Sequence, residues 1–300
     1  MADSQSPELA GSYAPPVVKG DPVEVSAGVY VISDNRVPLV PNVGIVVGQR
    51  AALVIDTGVG LRNGAYVLKR AQELTGTLPI YLAVTQLDPG HGFGAQAFVD
   101  TATIVYSGSQ RRRLRVNAPA YADTFLRFGP EVATQFEGLK LVESDLTYSG
   151  HLEIDLGGTV AMLHDWGVAH TADDQTVLID DRVLFGGDLF QTRMFPILPF
   201  VPPFDTHFDG DNWISALDHL IALNVPVVVP GHGEVTDTAQ IREVRDNLIY
   251  VRDESRRLHA DGLSIDEAAA RIEAYSIARW PTWETPRWTK ATVLAFTTGA

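Results

Sequence analysis

Apolar positions along the chain follow two rhythms. Short runs rich in β-branched residues predict strands at GVYVIS (28–33), NVGIVVG (42–48), AALVIDTG (51–58), PIYLAVT (79–85) and ATIVYS (102–107). Between them, GAYVLKRAQEL (64–74) sets Val67, Leu68, Ala71 and Leu74 at helical spacing, and GAQAFV opens another helix. Residues 110–140 read as helical with polar faces. From 139 onward KLVES, LTYSG, HLEIDLGG, TVAMLHDWG, QTVLIDD and RVLFGGD predict an antiparallel meander forming a second sheet. NWISALDHLIAL (212–223) is an amphipathic helix, VPVVVPGHG (225–233) a strand ending at a histidine turn, and 236–260 a long helix. Ser264 and Glu267 form a capping box that starts IDEAAARIEA. Strands alternating with helices predict an α/β architecture. No repeat or long linker divides the chain, so residues 23–300 are expected as a single domain with a C-terminal helical, tryptophan-rich extension. MADSQSPELAGSYAPP lacks the basic and apolar blocks of a secretory signal, and 1–22 is expected as a disordered leader.

Composition narrows the function classes. The chain has 300 residues, 45% of them hydrophobic, and a formal charge of −14, which argues against a nucleic-acid partner. No run approaches a membrane span. The one basic run, Arg111–Arg113, reads as a solvated face, with contact to an anionic partner as the alternative. Without cysteine there are no disulfides, thiolate nucleophiles or Cys-based zinc sites, which fits a cytoplasmic location.

Several turns share one layout: an apolar strand ends and Asp or His follows. They carry Asp56 in VIDTG, Asp88 and His91 in TQLDPGH, Asp188 in VLFGGD and His232 in VVPGHG; His170, in AHTADD, lies in a loop that precedes a strand. Polar residues at strand ends are where α/β folds place their sites. Each alone reads as a turn residue, but together they offer the ligands that borderline and hard metals prefer. With these motifs the stretch from about residue 24 to about 250 resembles the metallo-β-lactamase superfamily; AHTADDQTVLIDDRVLFGGDLF (169–190) is its most specific block. The resemblance implies a four-layered αβ/βα sandwich with metals at the edge where the sheets meet. Gln86, Asp88 and Gly90 stand where the family has two histidines and an aspartate, while His91, His170, Asp188 and His232 match its ligands. Asp56 matches its supporting acidic residue.

The expected ligands are therefore Asp88, His91, His170, Asp188 and His232, with Gln86 as a weak donor, for one or two divalent ions. Zinc comes first, with iron or manganese as alternatives, since two histidines and a carboxylate also suit non-haem iron(II). The expected chemistry is hydrolysis of an ester, lactone, thioester or amide by a metal-activated water that Asp88 or Asp188 positions. A non-hydrolytic metalloenzyme (oxygenase, lyase or decarboxylase) is the first alternative, and a metal-free binding protein or acid–base catalyst the second. Thr171 and Asp174 are expected behind His170, fixing its tautomer or stabilising the turn, and His207 as an acid or base. RMFPILPFVPPF (193–204) either walls an apolar small-molecule pocket or packs on the core. WPTWETPRW (280–288) docks on the core, or serves as a homodimer contact or pocket lid. His164 reads as a strand residue, and His151, His219 and His259 as ordinary histidines.

Overall fold

The computed structural model describes residues 14–198 and 206–298. Its first sheet has the order β1 (Val23–Ser26), β2 (Val29–Ile32), β3 (Val43–Val47), β4 (Ala52–Ile55), β5 (Ile80–Ala83), β6 (Ala102–Ser107), β7 (Leu146–Tyr148). Strands β1 to β4 pair antiparallel, and β4 to β7 are parallel. Helix α1 (Gly60–Thr75) makes the first parallel crossover. The turn α2 (Pro89–Gly92) and a 3₁₀ segment (Phe93–Phe98) make the next, where the sequence predicts an ordinary helix. Helices α3 (Gly108–Val116), α4 (Ala118–Phe125) and α5 (Pro130–Ala133) make the third.

The second sheet has the order β12 (Val227–Val229), β11 (Val183–Phe185), β10 (Asp174–Ile179), β9 (Val160–Gly167), β8 (His151–Asp155), antiparallel except for the β11–β12 pair. Two of the expected meander strands are not in it. LTY is β7, parallel to β6, because α3 to α5 return the chain to the edge of the first sheet. KLVES forms no strand; its Glu143 is held outside by Arg111 and Arg115.

Strand alternation explains the layers, since neighbouring side chains face opposite ways. Val29, Val31, Leu53 and Ile55 of the first sheet meet Leu163, Val177, Ile179 and Phe185 of the second in a core between the sheets. The opposite faces of the same strands, Ile32, Ile45, Val54 and Leu82, pack on Val67 and Ala71 of α1 and Leu114 of α3. Leu184 and Val228 look outward onto α6 (Gly210–Leu223) and α7 (Thr238–Ala260), joined by α8 (Ile265–Arg279) and α9 (Thr289–Thr298). The result is helix, sheet, sheet, helix: the expected four-layered αβ/βα sandwich. The Ser264–Glu267 capping box opens α8.

Residues 14–22, expected within the leader, are docked. Asn63 accepts from Val18 N (2.8 Å) and donates to the Pro16 carbonyl (2.8 Å), and Val18 is buried. Among the described residues no helix is long and apolar enough to cross a membrane.

Candidate metal centre

Three strand-end turns deliver the site. After β4, Asp56 adopts left-handed backbone (φ 66°), which Asp tolerates better than most residues. Its carboxylate is held by Thr85, whose N–H donates to Oδ1 (2.7 Å) and whose hydroxyl donates to Oδ2 (2.8 Å). After β5, Thr85 leads into the short α2, which carries His91. His91 Nδ1 lies 2.9 Å from Asp56 Oδ2, and Nε2 lies 3.1 Å from Asp188 Oδ2. After β11, Asp188 sits in a 3₁₀ turn. After β12, His232 brings Nε2 to 3.5 Å from Asp188 Oδ1. His91, Asp188 and His232 thus offer ligand atoms that all lie within 4.8 Å of one another.

The donor set fits a divalent ion. A tetrahedral ion with bonds of about 2.0–2.1 Å holds its ligands roughly 3.3 Å apart. Each histidine nitrogen lies near that distance from one Asp188 oxygen, His91 Nε2 at 3.1 Å from Oδ2 and His232 Nε2 at 3.5 Å from Oδ1. Asp188 Oδ1 and Gln86 Oε1 are buried oxygens without a hydrogen-bond partner, a costly state that a cation or its water shell would relieve. Because Asp56 can only accept, His91 Nδ1 must carry the proton of that bond; in the neutral ring Nε2 then keeps its lone pair.

The protons of the site follow from the same geometry. Burial pulls the His91 pKa down, but Asp188 and Asp56 outweigh it and hold the imidazolium well above the ordinary range. Burial would raise the Asp188 carboxyl, yet the His232 and His91 charges hold it well below the usual carboxylate range. Asp188 is therefore an acceptor across the physiological range.

Around the trio the other expected residues divide. Gln86 is buried beside it, but its amide nitrogen donates to Asp188 Oδ2 (2.8 Å). Asp88, expected as a ligand, caps α2 by accepting from Gly90 N (2.9 Å) and is not in the trio; burial raises its carboxyl pKa. His170, also expected as a ligand, is not in the trio either: its Nε2 lies 2.5 Å from the Ile197 carbonyl oxygen. Thr171 and Asp174 do stand behind His170, with Nδ1 3.5 Å from Asp174 and Asp174 bonded to Thr171 N and Oγ1. His207 is exposed ahead of α6 and outside the trio.

Three supporting residues carry no spacing signal in the sequence. Asn42 donates to the Pro230 carbonyl (3.0 Å) and the Gly233 carbonyl (2.8 Å), clamping the turn that holds His232. Asp34 accepts from Gly233 N (2.9 Å) and lies 4.0 Å from His232 Nδ1. Thr85, read only as the end of a strand, orients Asp56. Each acts on a residue far away in sequence, so no local pattern marks it.

The surroundings resolve other expectations. Arg113 of the basic run is neither solvated nor facing an anionic partner: it is buried against Asp173, with Nη2 donating to Tyr121 OH (2.7 Å). From the loop after Asp188, Met194 is buried and Phe195 and Leu198 lie in the outer core, while 199–204 lie outside the described residues. The tryptophan-rich segment docks there: Trp283 meets the Phe195 ring at 5.3 Å, and Phe195 N donates to the Glu284 carbonyl (3.0 Å). His164 lies in β9, its ring 4.1 Å from Trp166.

Comparison with known proteins places this geometry. The model of the metallo-beta-lactamase superfamily matches residues 36–232. A linear primary-alkylsulfatase from Pseudomonas sp. (strain ATCC 19151) is 33% identical over an alignment of 259 residues that covers 74% of this chain and 48% of that one. Among solved structures, a stereoselective inverting sec-alkylsulfatase from Pseudomonas sp. superposes with a TM-score of 0.68 at 14% identity, covering 93% of this chain and 50% of that one. A metallo-beta-lactamase family protein from Thermus thermophilus superposes with a TM-score of 0.64 at 17% identity, covering 91% and 93%. The chain spans about half the length of the alkylsulfatases it matches.

Proposed function

The chain belongs to the metallo-β-lactamase superfamily, and on that premise we propose that it is a metal-dependent hydrolase of small, partly apolar esters, with alkyl sulfates as the first substrate class. One observation carries the reading: His91, Asp188 and His232 converge within 4.8 Å, and Asp56 holds His91 in the ligating tautomer. The alkylsulfatase relatives support a sulfate ester, a bond not among the ester, lactone, thioester and amide expected from sequence. The trio would hold the ion, with zinc first and manganese as an alternative. When bound, such an ion supplies an acidified water with a pKa near 7 and a Lewis acid for the ester oxygen.

The chain's own groups do the remaining work. Asp188, kept ionised, and the Gln86 amide that grips it fix the floor of the site. Gln86 Oε1, buried without a partner, is the acceptor that orients the attacking water. Asp88 lies on the same turn as His91, and its raised pKa is the direction that a proton-carrying carboxyl needs. We assign Asp88 that role in place of ligation.

The test is turnover by the full chain, stripped with chelator and reloaded separately with zinc, manganese or iron(II). Sulfate release from medium-chain alkyl sulfates is measured beside a panel of carboxylic esters. Restored turnover that falls about 100-fold in His232→Ala supports the proposal. A chain that retains no ion and turns over no ester overturns it. The two-histidine, one-carboxylate composition also supports a second reading, iron(II) with oxygen chemistry, which iron retention with oxygen consumption would favour.

A further inference from the structure

In the family resemblance, the positions of Gln86, Asp88 and His170 belong to a metal pair. In this chain each of the three makes a bond to a protein group, and each bond has its own chemical logic. Gln86 turns its amide nitrogen, a donor that cannot ligate, to Asp188 Oδ2 (2.8 Å), and its Oε1 is the acceptor assigned above to the attacking water. Asp88 Oδ1 is occupied by the Gly90 N–H at the start of α2. His170 Nε2 lies against a carbonyl oxygen, that of Ile197, so this nitrogen carries a proton and has no lone pair to give. Its other nitrogen faces Asp174 at 3.5 Å without a hydrogen bond, and its ring stands edge-on to Trp213 at 5.0 Å. His170 is 2% exposed, so water does not compete for these contacts.

We propose that the chain holds one divalent ion, on His91, Asp188 and His232, and that His170 is a latch that fastens the segment Met194–Leu198 to the second sheet. The proposal rests on the metal-dependent reading above and fixes the number of ions in it. The latched segment leaves the site directly after Asp188. Phe195 and Leu198 are buried in the outer core, and Phe195 is tied to Glu284 of the tryptophan-rich segment. One imidazole thus connects the loop at the base of β10 to the chain that leaves the aspartate ligand. The position that supplies a metal ligand elsewhere in the family supplies a structural hydrogen bond here.

The experiment counts ions and reads the latch separately. The full chain is saturated with zinc, freed of excess and analysed for metal per chain. Zinc affinity is measured by competition with a chromophoric chelator, and amide hydrogen exchange is followed at 194–198. The wild type is expected to hold one zinc. His170→Ala is expected to keep that zinc within about threefold in affinity while exchange at 194–198 accelerates about tenfold or more. His170→Gln keeps an N–H for the Ile197 carbonyl but removes the imidazole, and it is expected to restore most of the protection. His232→Ala is expected to lose about 100-fold in affinity. Two zinc ions in the wild type, or loss of zinc in both His170 variants, would overturn the single-ion assignment and leave the hydrolase reading standing. No zinc in the wild type would overturn both. Unchanged exchange at 194–198 in His170→Ala would overturn the latch alone.

Discussion

Replacing Arg113 with methionine tests how the loop of candidate ligands is held. The guanidinium and the Asp173 carboxylate are both essentially inaccessible to water. Asp173 Oδ2 also accepts from Leu87 N (2.8 Å), in the middle of the Gln86–Asp88 stretch, and its Oδ1 accepts from Thr171 Oγ1 (3.1 Å). Arg113 further lies over the Tyr121 ring, 4.7 Å from its centroid. Methionine keeps the apolar stem and deletes the charge, leaving a carboxylate in the core with two neutral donors. Breaking a buried pair in this way costs about 3–5 kcal/mol. With roughly 2–4 °C lost per kcal/mol in larger domains, the midpoint should fall by roughly 6–20 °C. The double variant Arg113→Met/Asp173→Leu removes both charges but strands the Leu87 N–H, which costs about 1–3 kcal/mol by itself. It should therefore recover part of the loss and stay below the wild type. Urea unfolding of the four proteins closes the cycle. A loss under about 1 kcal/mol for Arg113→Met, within the range of an exposed pair, would refute the reasoning.

Three further perturbations separate the supports of the site. Asp56→Asn can no longer accept two bonds from Thr85 while enforcing the His91 tautomer, so zinc affinity should fall about 10–100-fold in chelator competition; an unchanged affinity would show that Asp56 does not orient the ligand. Gly231→Ala would drive a Cβ into Asp188 Oδ1 and to 2.9 Å from the Gly187 carbonyl oxygen, so zinc binding should weaken about tenfold or more while circular dichroism stays native. Full zinc affinity in that variant would contradict the close approach of the turn. Hydrogen bonding and charge from Arg36 lower Glu234 from 4.5 to about 2. Its stabilising contribution is therefore complete above pH 4.5 and lost as pH falls toward 2. The urea-midpoint gap between the wild type and Arg36→Gln should be widest near neutrality and close across that window, and a gap that widens on acidification would be the wrong sign.

The parts legible in the sequence were those whose cause is local. Alternation along β2 to β6, the helical spacing of α1 and the Ser264 capping box each depend on neighbours a few residues away. Strand-end placement likewise marked Asp56, His91, Asp188 and His232 before their convergence was visible, because a turn beyond an apolar strand needs a short polar residue for its own sake. What the pattern could not carry was the partner of each group. Arg113 looked solvated because a short basic run is usually a solvated face, as it is for Arg111 and Arg112; its counter-ion lies 60 residues on. LTY had the same β character as the meander that follows it, and only the crossover through α3 to α5 decides which sheet it joins. Asp88 and His170 show the same limit from the chemical side. Residue type fixes what a side chain can bind, whereas the choice between an ion and a backbone group depends on which orphaned partner the fold brings closer. For Asp88 that partner is the Gly90 N–H at a helix start, and for His170 it is the Ile197 carbonyl. A buried carbonyl without a donor is costly, and so is an unfilled ligand position. On the single-ion proposal, a chain that meets the first need with His170 must meet the second with fewer ligands, and that trade would link the altered motif to a smaller site.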